Sequence, residues 1–341
     1  PYIARNKCQH CGGVIEDHGR ILSAEYVEIV LTEIDAEIIK QQYYFDKNIM
    51  WIAHKVAEKG YLCDEYREFV KYMFEQKCKL KASDPYFYAK YKNKINALFG
   101  MMLTDITRAE ILYIDDEWKE AFGNCAELLK SYYEKRSTFL SYQQGIYVTA
   151  NARAALQKGL DLVGLNAVYC DTDSIKHFED LGDLFRRLND EIIEFNISCG
   201  WPGVTIGDKT YHCGIWERDD HYKHFKTYGA KKYAYEYAEP EKHDGHKFGI
   251  TVAGLNKEKG AKVLEQQGLA AFDLEHVFKE EESGRLTAHY NDEIQYTVME
   301  VDGHKIELTS NIALLPTTYT LNITGDYKAL INNEIEWAVM Y

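Results

Sequence analysis

The stretch Val168–Phe178, VYCDTDSIKHF, sets two carboxylates one residue apart between β-prone apolar runs. A chain that needed only to reverse direction could use Asn-Gly or Asp-Gly and avoid the repulsion. Asp171 and Asp173 therefore read in two ways: as a solvated hairpin tip, or as a turn that carries a cation. Two carboxylates this close raise each other's pKa unless positive charge neutralises them. Hard oxygen donors with few protein partners suit Mg²⁺, which keeps water and substrate phosphates in its shell. The flanking runs NAVYC and SIKHF predict two strands, with the acidic pair near the tip between them.

Helical patterns surround this hairpin. GIYVTANARAALQKGL predicts a helix ending at Gly159, and LGDLFRRLNDEIIEF predicts another after the hairpin. From Asp64, apolar residues Tyr66, Phe69, Val70, Met73 and Phe74 recur at spacings of three and four, so a helix runs to about Ala82. Ser83-Asp84-Pro85 then supplies an N-cap and a proline for the first helical position, and YFYAKYKNKINALFGMM continues as a second helix. The joint is short enough to make the two an antiparallel helical hairpin. On the second helix Lys92, Asn96 and Phe99 fall at i, i+4 and i+7 on one face, with Gly100 next. A cation, an amide and a ring on one stripe can grip a phosphate, a sugar and a base; the plainer reading is a solvated lysine beside a core phenylalanine.

Tyr26–Leu31 alternates as a strand does and is followed by a helical pattern through Ile38, Ile39 and Gln42. Residues 104–144, rich in Glu, Lys and Tyr, predict helix without assignable chemistry. FKTYGAKKYAYEY interleaves Lys226, Lys231 and Lys232 with Tyr228, Tyr233 and Tyr235 along an alternating strand. Such a strand suits a nucleic-acid backbone, or is a half-buried strand with a charged outer face. Strand patterns recur at HKFGITVAG, IQYTVMEV and YTLNITG, and a helix is expected from about Lys257 to Gly268. There is no internal repeat and no low-complexity segment.

The 341 residues are 46% hydrophobic and 28% charged, an ordinary globular composition long enough for two or three domains. Twenty-seven tyrosines against 5 prolines favour regular elements over Pro-rich linkers. A net charge of −14 argues against a broadly basic nucleic-acid coat, while lysines cluster at Lys71–Lys94 and Tyr222–Lys232. The eight cysteines show no disulfide-framework spacing, and a reducing, cytosolic setting is expected. No apolar run reaches membrane-spanning length and the N-terminus does not read as a signal peptide, so no membrane partner is expected. CQHCGG offers Cys8 and Cys11 as half a zinc knuckle. A structural site needs four ligands and no second C-x-x-C exists, so reduced thiols are the stronger expectation and zinc the weaker.

In this order the motifs resemble those of family B DNA polymerases. KNKINALFG resembles K-x-x-x-N-S-x-Y-G, YCDTDS resembles Y-x-D-T-D-S, and KKY resembles K-x-Y. GIYVTANAR is similar to the helix before the family's acidic hairpin, while PYIARNK and KFGITVAGLNKE resemble segments of its protein-primed phage subgroup. The likeness runs in patches over most of residues 1–260. It implies an α+β fold: a palm with an antiparallel sheet, helical-hairpin fingers and a small mixed thumb. Residues 1–60 would be a palm segment with a terminal-protein-region-like insertion, 61–103 the fingers, 104–252 the palm with a second insertion at 104–144, and 253–341 the thumb.

The resemblance also implies roles. Asp171 and Asp173 would hold the catalytic metals, two Mg²⁺ ions for which Mn²⁺ can substitute, with Asp173 the better direct ligand. Lys92 would contact the triphosphate of the incoming dNTP, Lys77 would be a second phosphate contact, and Asn96, Phe99 and Gly100 would line the nucleotide pocket. Lys231 and Tyr233 would hold the primer terminus, and Thr172 and Ser174 would support the hairpin. Expected partners are primer-template DNA, dNTPs, a terminal protein primer and an upstream exonuclease and palm segment, in a bacterial host's cytoplasm. Phe99 stands where the family has Tyr, Ala97 where it has Ser, and Cys170 where Gly is commoner. The family's D-x-x-S-L-Y-P motif, which supplies a further metal-binding aspartate, has no counterpart here. The chain is accordingly expected to be the C-terminal part of a polymerase, holding metal poorly and polymerising little by itself. Readings from other classes are a non-catalytic nucleic-acid-binding module and a metal-dependent nuclease using the aspartate pair.

Overall fold

The computed structural model describes residues 2–17, 19–46, 49–56, 58, 60, 62–114, 117–135, 139–301 and 304–322. They form a mixed α+β chain whose sheets are small and antiparallel. Two compact units result: a terminal unit of Ile3–Glu28 with the chain from Glu217 onward, and a central unit of Ile29–Trp216 joined by Tyr2.

The first strands are β1 (Cys8–Gly12), β2 (Ile15–Asp17), β3 (Arg20–Ser23) and β4 (Tyr26–Ile29), pairing as β1 with β4 and β2 with β3. Helix α1 (Glu33–Gln42) starts at Thr32, whose hydroxyl accepts the Asp35 N–H at 3.1 Å. Helices α2 (Asp64–Leu80) and α3 (Pro85–Met102) pack on each other as the sequence predicts, with Asp84 capping α3 and Pro85 at its first position. Hairpin β5 (Glu110–Ile114) and β6 (Glu117–Ala121) precedes α4 (Cys125–Glu134). The helix expected within 104–144 is α4, and the hairpin before it is an addition to that reading: β-prone residues Ile111, Leu112, Tyr113 and Ile114 outweigh the surrounding Glu and Lys.

Helix α5 (Tyr142–Val163) runs past Gly159 and is capped by Gly164, whose φ of 57° is a backbone conformation that glycine adopts without steric cost. Gly159 is buried inside the helix instead: a Cβ there would meet Trp216 Cζ2 at 2.7 Å and Ile175 Cδ1 at 2.8 Å. The glycine is a close-packing point rather than a terminator. Strands β7 (Ala167–Asp171) and β8 (Ser174–His177) follow, then α6 (Gly182–Ser198) and the short hairpin β9 (Val204–Ile206) with β10 (Lys209–Tyr211).

The terminal unit continues with the sheet β11 (Tyr222–Thr227), β12 (Lys232–Tyr237) and β13 (Phe248–Val252). Ala234 on β12 lies opposite Ile250, and Lys232 opposite Val252. This face carries the core, in which Ala234, Ile250 and Val252 pack with Leu255, with Val263 and Leu264 of α7 (Lys257–Gln267), and with Phe272, Phe278 and Leu321. Strand β14 (Val277–Phe278), the short α8 (Glu280–Ser283), a long ribbon of β15 (Arg285–Val301) with β16 (His304–Thr317), and β17 (Tyr319–Thr320) complete the described chain. Of YTLNITG, the last three residues lie outside the described residues.

The central unit is tied together by an ion pair whose carboxylate is buried. Asp35 is 4% exposed, and the Arg153 guanidinium of α5 grips both its oxygens, Nε to Oδ1 at 2.8 Å and Nη2 to Oδ2 at 2.9 Å. The Thr32 hydroxyl donates to Oδ2 at 2.7 Å and the Tyr2 hydroxyl to Oδ1. Burial alone would raise the Asp35 pKa, but these donors outweigh it and hold the carboxyl below its ordinary value. The same burial, with the Asp35 contact, pushes the Tyr2 hydroxyl up to about 12. Among the described residues, no helix is long and apolar enough to cross a membrane.

Candidate functional site

Asp171 closes β7 and pairs with Ser174 across a two-residue turn, Thr172-Asp173. Thr172 has φ 55°, and the Asp173 N–H donates to the Asp171 carbonyl at 2.7 Å. A hydrogen bond spanning one positive-φ residue is the rare, strained form of γ-turn, and a β-branched residue there is an outlier. What offsets this locally is side-chain bonding. The Thr172 hydroxyl donates to Asp171 Oδ1 at 2.9 Å, and the Ser174 hydroxyl to the Asp171 carbonyl at 3.3 Å. The Tyr169 hydroxyl, two residues back on the same strand face, donates to Oδ2 at 3.4 Å. Asp171 is thus half-buried and oriented, while Asp173 stands exposed at the tip. Tyr169 enters the sequence reading only as the first residue of YCDTDS, with no role assigned, although the period-2 rule puts it on the Asp171 face.

Helix α5 supports this hairpin. Its Gly159 admits Ile175 of β8 and Trp216, and Asn189 of α6 fixes Trp216 by accepting its N–H at 2.7 Å and donating to its carbonyl at 2.8 Å. Fourteen residues earlier on nearly the same helix face, Gly145 admits Leu103, the residue that caps α3. At about 1.5 Å per residue the two glycines lie roughly 21 Å apart. The Tyr142 hydroxyl also donates to the Thr104 carbonyl at 2.8 Å. One helix therefore touches the foot of α3 at one end and the back of the acidic hairpin at the other.

On α3, Lys92, Asn96 and Gly100 are exposed and Phe99 is half-buried. A Cβ on Gly100 would meet nothing within 4 Å, so this part of the stripe borders open space. Lys77 on α2 is half-buried, its Nζ 5.5 Å from the centroid of Phe74, whose ring meets Trp201 edge-on. A groove of about 440 Å³ lies between α2 and the Gly200–Val204 segment, lined by Glu68, Lys71, Tyr72, Glu75 and Trp201. None of the candidate residues lines it, so it is not the centre of the proposed chemistry.

In the terminal unit, Lys231 is exposed in the turn between β11 and β12, with φ 55°. The turn is closed by Tyr228 N–H to the Lys232 carbonyl at 2.9 Å and Lys232 N–H to the Gly229 carbonyl at 3.1 Å. Tyr233 follows on the face opposite the core. Its ring is stacked with Phe225 at 5.3 Å and with Tyr235 at 6.1 Å, in a row that continues through Tyr222 and Tyr237. Gly249, opposite Tyr235, has no Cβ because the tyrosine ring occupies that space. Burial raises the Tyr235 and Tyr222 hydroxyls well above their ordinary value, with the Tyr237 hydroxyl adding to the first and Asp219 and Asp220 to the second.

Asp171 and Asp173 offer too few donors for a self-sufficient metal cage, and their donors are of the hard type that Mg²⁺ takes. They offer hard oxygens, one oriented and one exposed, and among the described residues no set of three or more His, Cys, Asp or Glu side chains converges. Mg²⁺ commonly takes one or two carboxylates and completes its shell with water and substrate phosphates. Compared with known proteins, the chain matches no family model, no curated protein and no solved structure.

Proposed function

We propose that this chain is a template-directed DNA polymerase of the family B kind, with palm, fingers and thumb. The observation that carries the reading is the acidic turn. A β-branched Thr172 is held in left-handed backbone while its hydroxyl aims the Asp171 carboxylate and Asp173 faces out. An ordinary tip would relieve that strain with glycine, and strain of this kind persists where a function over-determines it. The Lys92, Asn96 and Phe99 stripe, in the same compact unit and braced through α5, supplies a second support.

In this reading Asp171 and Asp173 hold the metal, Thr172 and Tyr169 orient the Asp171 carboxylate beforehand, and Ser174 braces the turn through the Asp171 carbonyl. Bound Mg²⁺ would activate a primer 3′-hydroxyl and neutralise charge on the triphosphate and departing pyrophosphate. Lys92 adds a fixed cation for the triphosphate, Asn96 and Phe99 border the sugar and base, and Lys231 and Tyr233 steady the primer end. These contributions are positioning and electrostatics, as phosphoryl transfer requires. Because two carboxylates hold Mg²⁺ weakly, a further ligand from another segment would raise activity.

The test is primer extension with labelled primer-template, dNTPs and Mg²⁺ or Mn²⁺, with and without an added palm segment carrying a third carboxylate. Extension is expected to be weak alone, stronger with the segment, and lost in Asp173→Asn. Duplex binding without extension under either condition would favour a binding module, and loss of labelled DNA without dNTPs would favour a nuclease. Full extension by Asp173→Asn would falsify the catalytic assignment.

A further inference from the structure

The two helices of the α2–α3 hairpin carry their positive charge differently. On α2, Arg67 pairs with Asp64, Lys71 with Glu68 at 3.0 Å and Lys79 with Glu75 at 2.5 Å. The 18 residues of α3 include Lys90, Lys92 and Lys94 but no Asp or Glu, in a chain of net charge −14. Among the described residues no carboxylate pairs with these three lysines. Lys90 and Lys94 lie over rings instead, with Nζ 5.3 Å from the Phe87 centroid and 5.7 Å from the Tyr91 centroid respectively. Each sits two residues from Lys92, roughly 160° round the helix, so this face is separate from the Lys92, Asn96 and Phe99 stripe. The face is aromatic as well as cationic. Tyr86 and Phe87 are 71% and 42% exposed, with their rings edge-on at 5.3 Å. Tyr91 meets Tyr72 of α2 edge-on at 6.5 Å, and the exposed Tyr72 lines the 440 Å³ groove together with Trp201. Phe87, Lys90, Tyr91 and Lys94, at i, i+3, i+4 and i+7, cover roughly 10 Å of helix, and Tyr72 continues that path into the groove.

A lysine held over a ring, with no carboxylate to neutralise it, keeps its charge for an anion beside an aromatic surface. The groove adds little repulsion, because its acids Glu68 and Glu75 are those already paired with Lys71 and Lys79. Cations interleaved with exposed rings suit one class of ligand, a polyanion whose bases are free to stack. A free phosphate makes no use of the rings, and the bases of a duplex are already stacked on each other. We propose that this face of α3 and the adjoining groove bind single-stranded DNA, with phosphates at Lys90 and Lys94 and bases against Phe87, Tyr72 and Trp201. The inference rests on the polymerase reading, in which the strand is the unpaired template. One helix then serves two ligands from opposite sides, the incoming nucleotide at Lys92 and the strand at Lys90 and Lys94.

The test is fluorescence anisotropy of a labelled oligothymidylate with the whole chain, in a salt series without dNTPs or divalent metal, against a blunt duplex of equal length. The unaltered chain is expected to bind the single strand more tightly than the duplex. Lys90→Gln with Lys94→Gln is expected to weaken single-strand binding and to make the slope of log affinity against log salt shallower by about 1.4, some 0.7 for each lysine. Phe87→Leu, at an exposed position, is expected to weaken binding about fivefold or more with the slope unchanged. Lys40→Gln removes an exposed lysine that already pairs with Glu37 on α1, and is expected to leave both affinity and slope as they were. An unchanged slope in the double lysine variant, an equal loss in Lys40→Gln, or tighter binding of the duplex would each overturn the proposal. Primer extension by the same proteins separates the two readings. A lost slope in a chain that never extends a primer leaves the surface and removes the polymerase; extension with an unchanged slope does the reverse.

Discussion

The ion pair of the buried Asp35 with Arg153 gives the sharpest test of how the central unit is held together. The two partners differ in solvent access, with side chains 6% and 44% exposed. Arg153→Met leaves a carboxylate in the interior with two hydroxyl donors, a broken buried pair that costs about 3 to 4 kcal/mol. Asp35→Asn leaves a half-exposed guanidinium that can turn toward water, so its cost is about 1 to 2 kcal/mol. For a unit of this size each kcal/mol moves Tm by roughly 2 to 4 °C, so Arg153→Met lowers Tm by roughly 6 to 16 °C and Asp35→Asn by about half as much or less. The pH dependence adds a second reading. In the unaltered chain the depressed Asp35 pKa contributes stability above its ordinary value of 3.8, which is lost as pH falls through the folded value. Without Arg153, burial acts against weaker opposition and the folded pKa rises, so protonation relieves the variant first. The stability gap between unaltered chain and Arg153→Met should therefore narrow as pH is lowered from 7 to 4. Calorimetry or denaturant unfolding followed by tryptophan fluorescence measures both. Equal costs for the two substitutions, or a gap that stays flat with pH, would refute the asymmetry.

Gly159→Ala should destabilise the central unit by about 1 kcal/mol net, because contact with Trp216 and Ile175 outweighs the gain in helix propensity; thermal unfolding checks the sign. Thr172→Gly and Lys231→Gly should each raise stability by about 1 kcal/mol by relieving φ 55° backbone. In the polymerase reading both should also lower primer extension, a split that a purely structural turn would not show. Tyr2→Phe should lower stability by a constant amount below pH 10. The Tyr2 pKa is raised from 10.0 to about 12, so its contribution is full below 10 and is lost as pH rises from 10 to about 12. Difference absorbance of tyrosinate against Tyr2→Phe follows that titration directly.

Much of the local architecture was legible because it rests on local physics. Ser83-Asp84-Pro85 announces a helix start wherever it occurs, and Asp84 accepts the Phe87 N–H at 3.0 Å in the structure. The alternation of KKYAYEY appears as β12, and the runs around DTD appear as β7 and β8. Glycine misled, because one residue type serves opposite ends: Gly164 stops α5 through its backbone, whereas Gly159 admits neighbours from two other segments. No local pattern separates those uses. EILYI within a Glu- and Lys-rich stretch was ambiguous for the same reason, since short apolar runs are decided by what they pair with.

The candidate site divides along the same line. By itself the sequence determined that Asp171 and Asp173 flank one residue between two strands, and that Lys92, Asn96 and Phe99 share a helix face, because period and spacing are properties of consecutive residues. Tertiary structure alone decided that Thr172 is left-handed, that Tyr169 and Thr172 hold opposite oxygens of Asp171, and that α5 braces both the hairpin and the foot of α3. It also joined Asp35 to Arg153 across 118 positions. Those contacts depend on which surfaces meet once the elements pack, and a linear pattern does not specify that meeting.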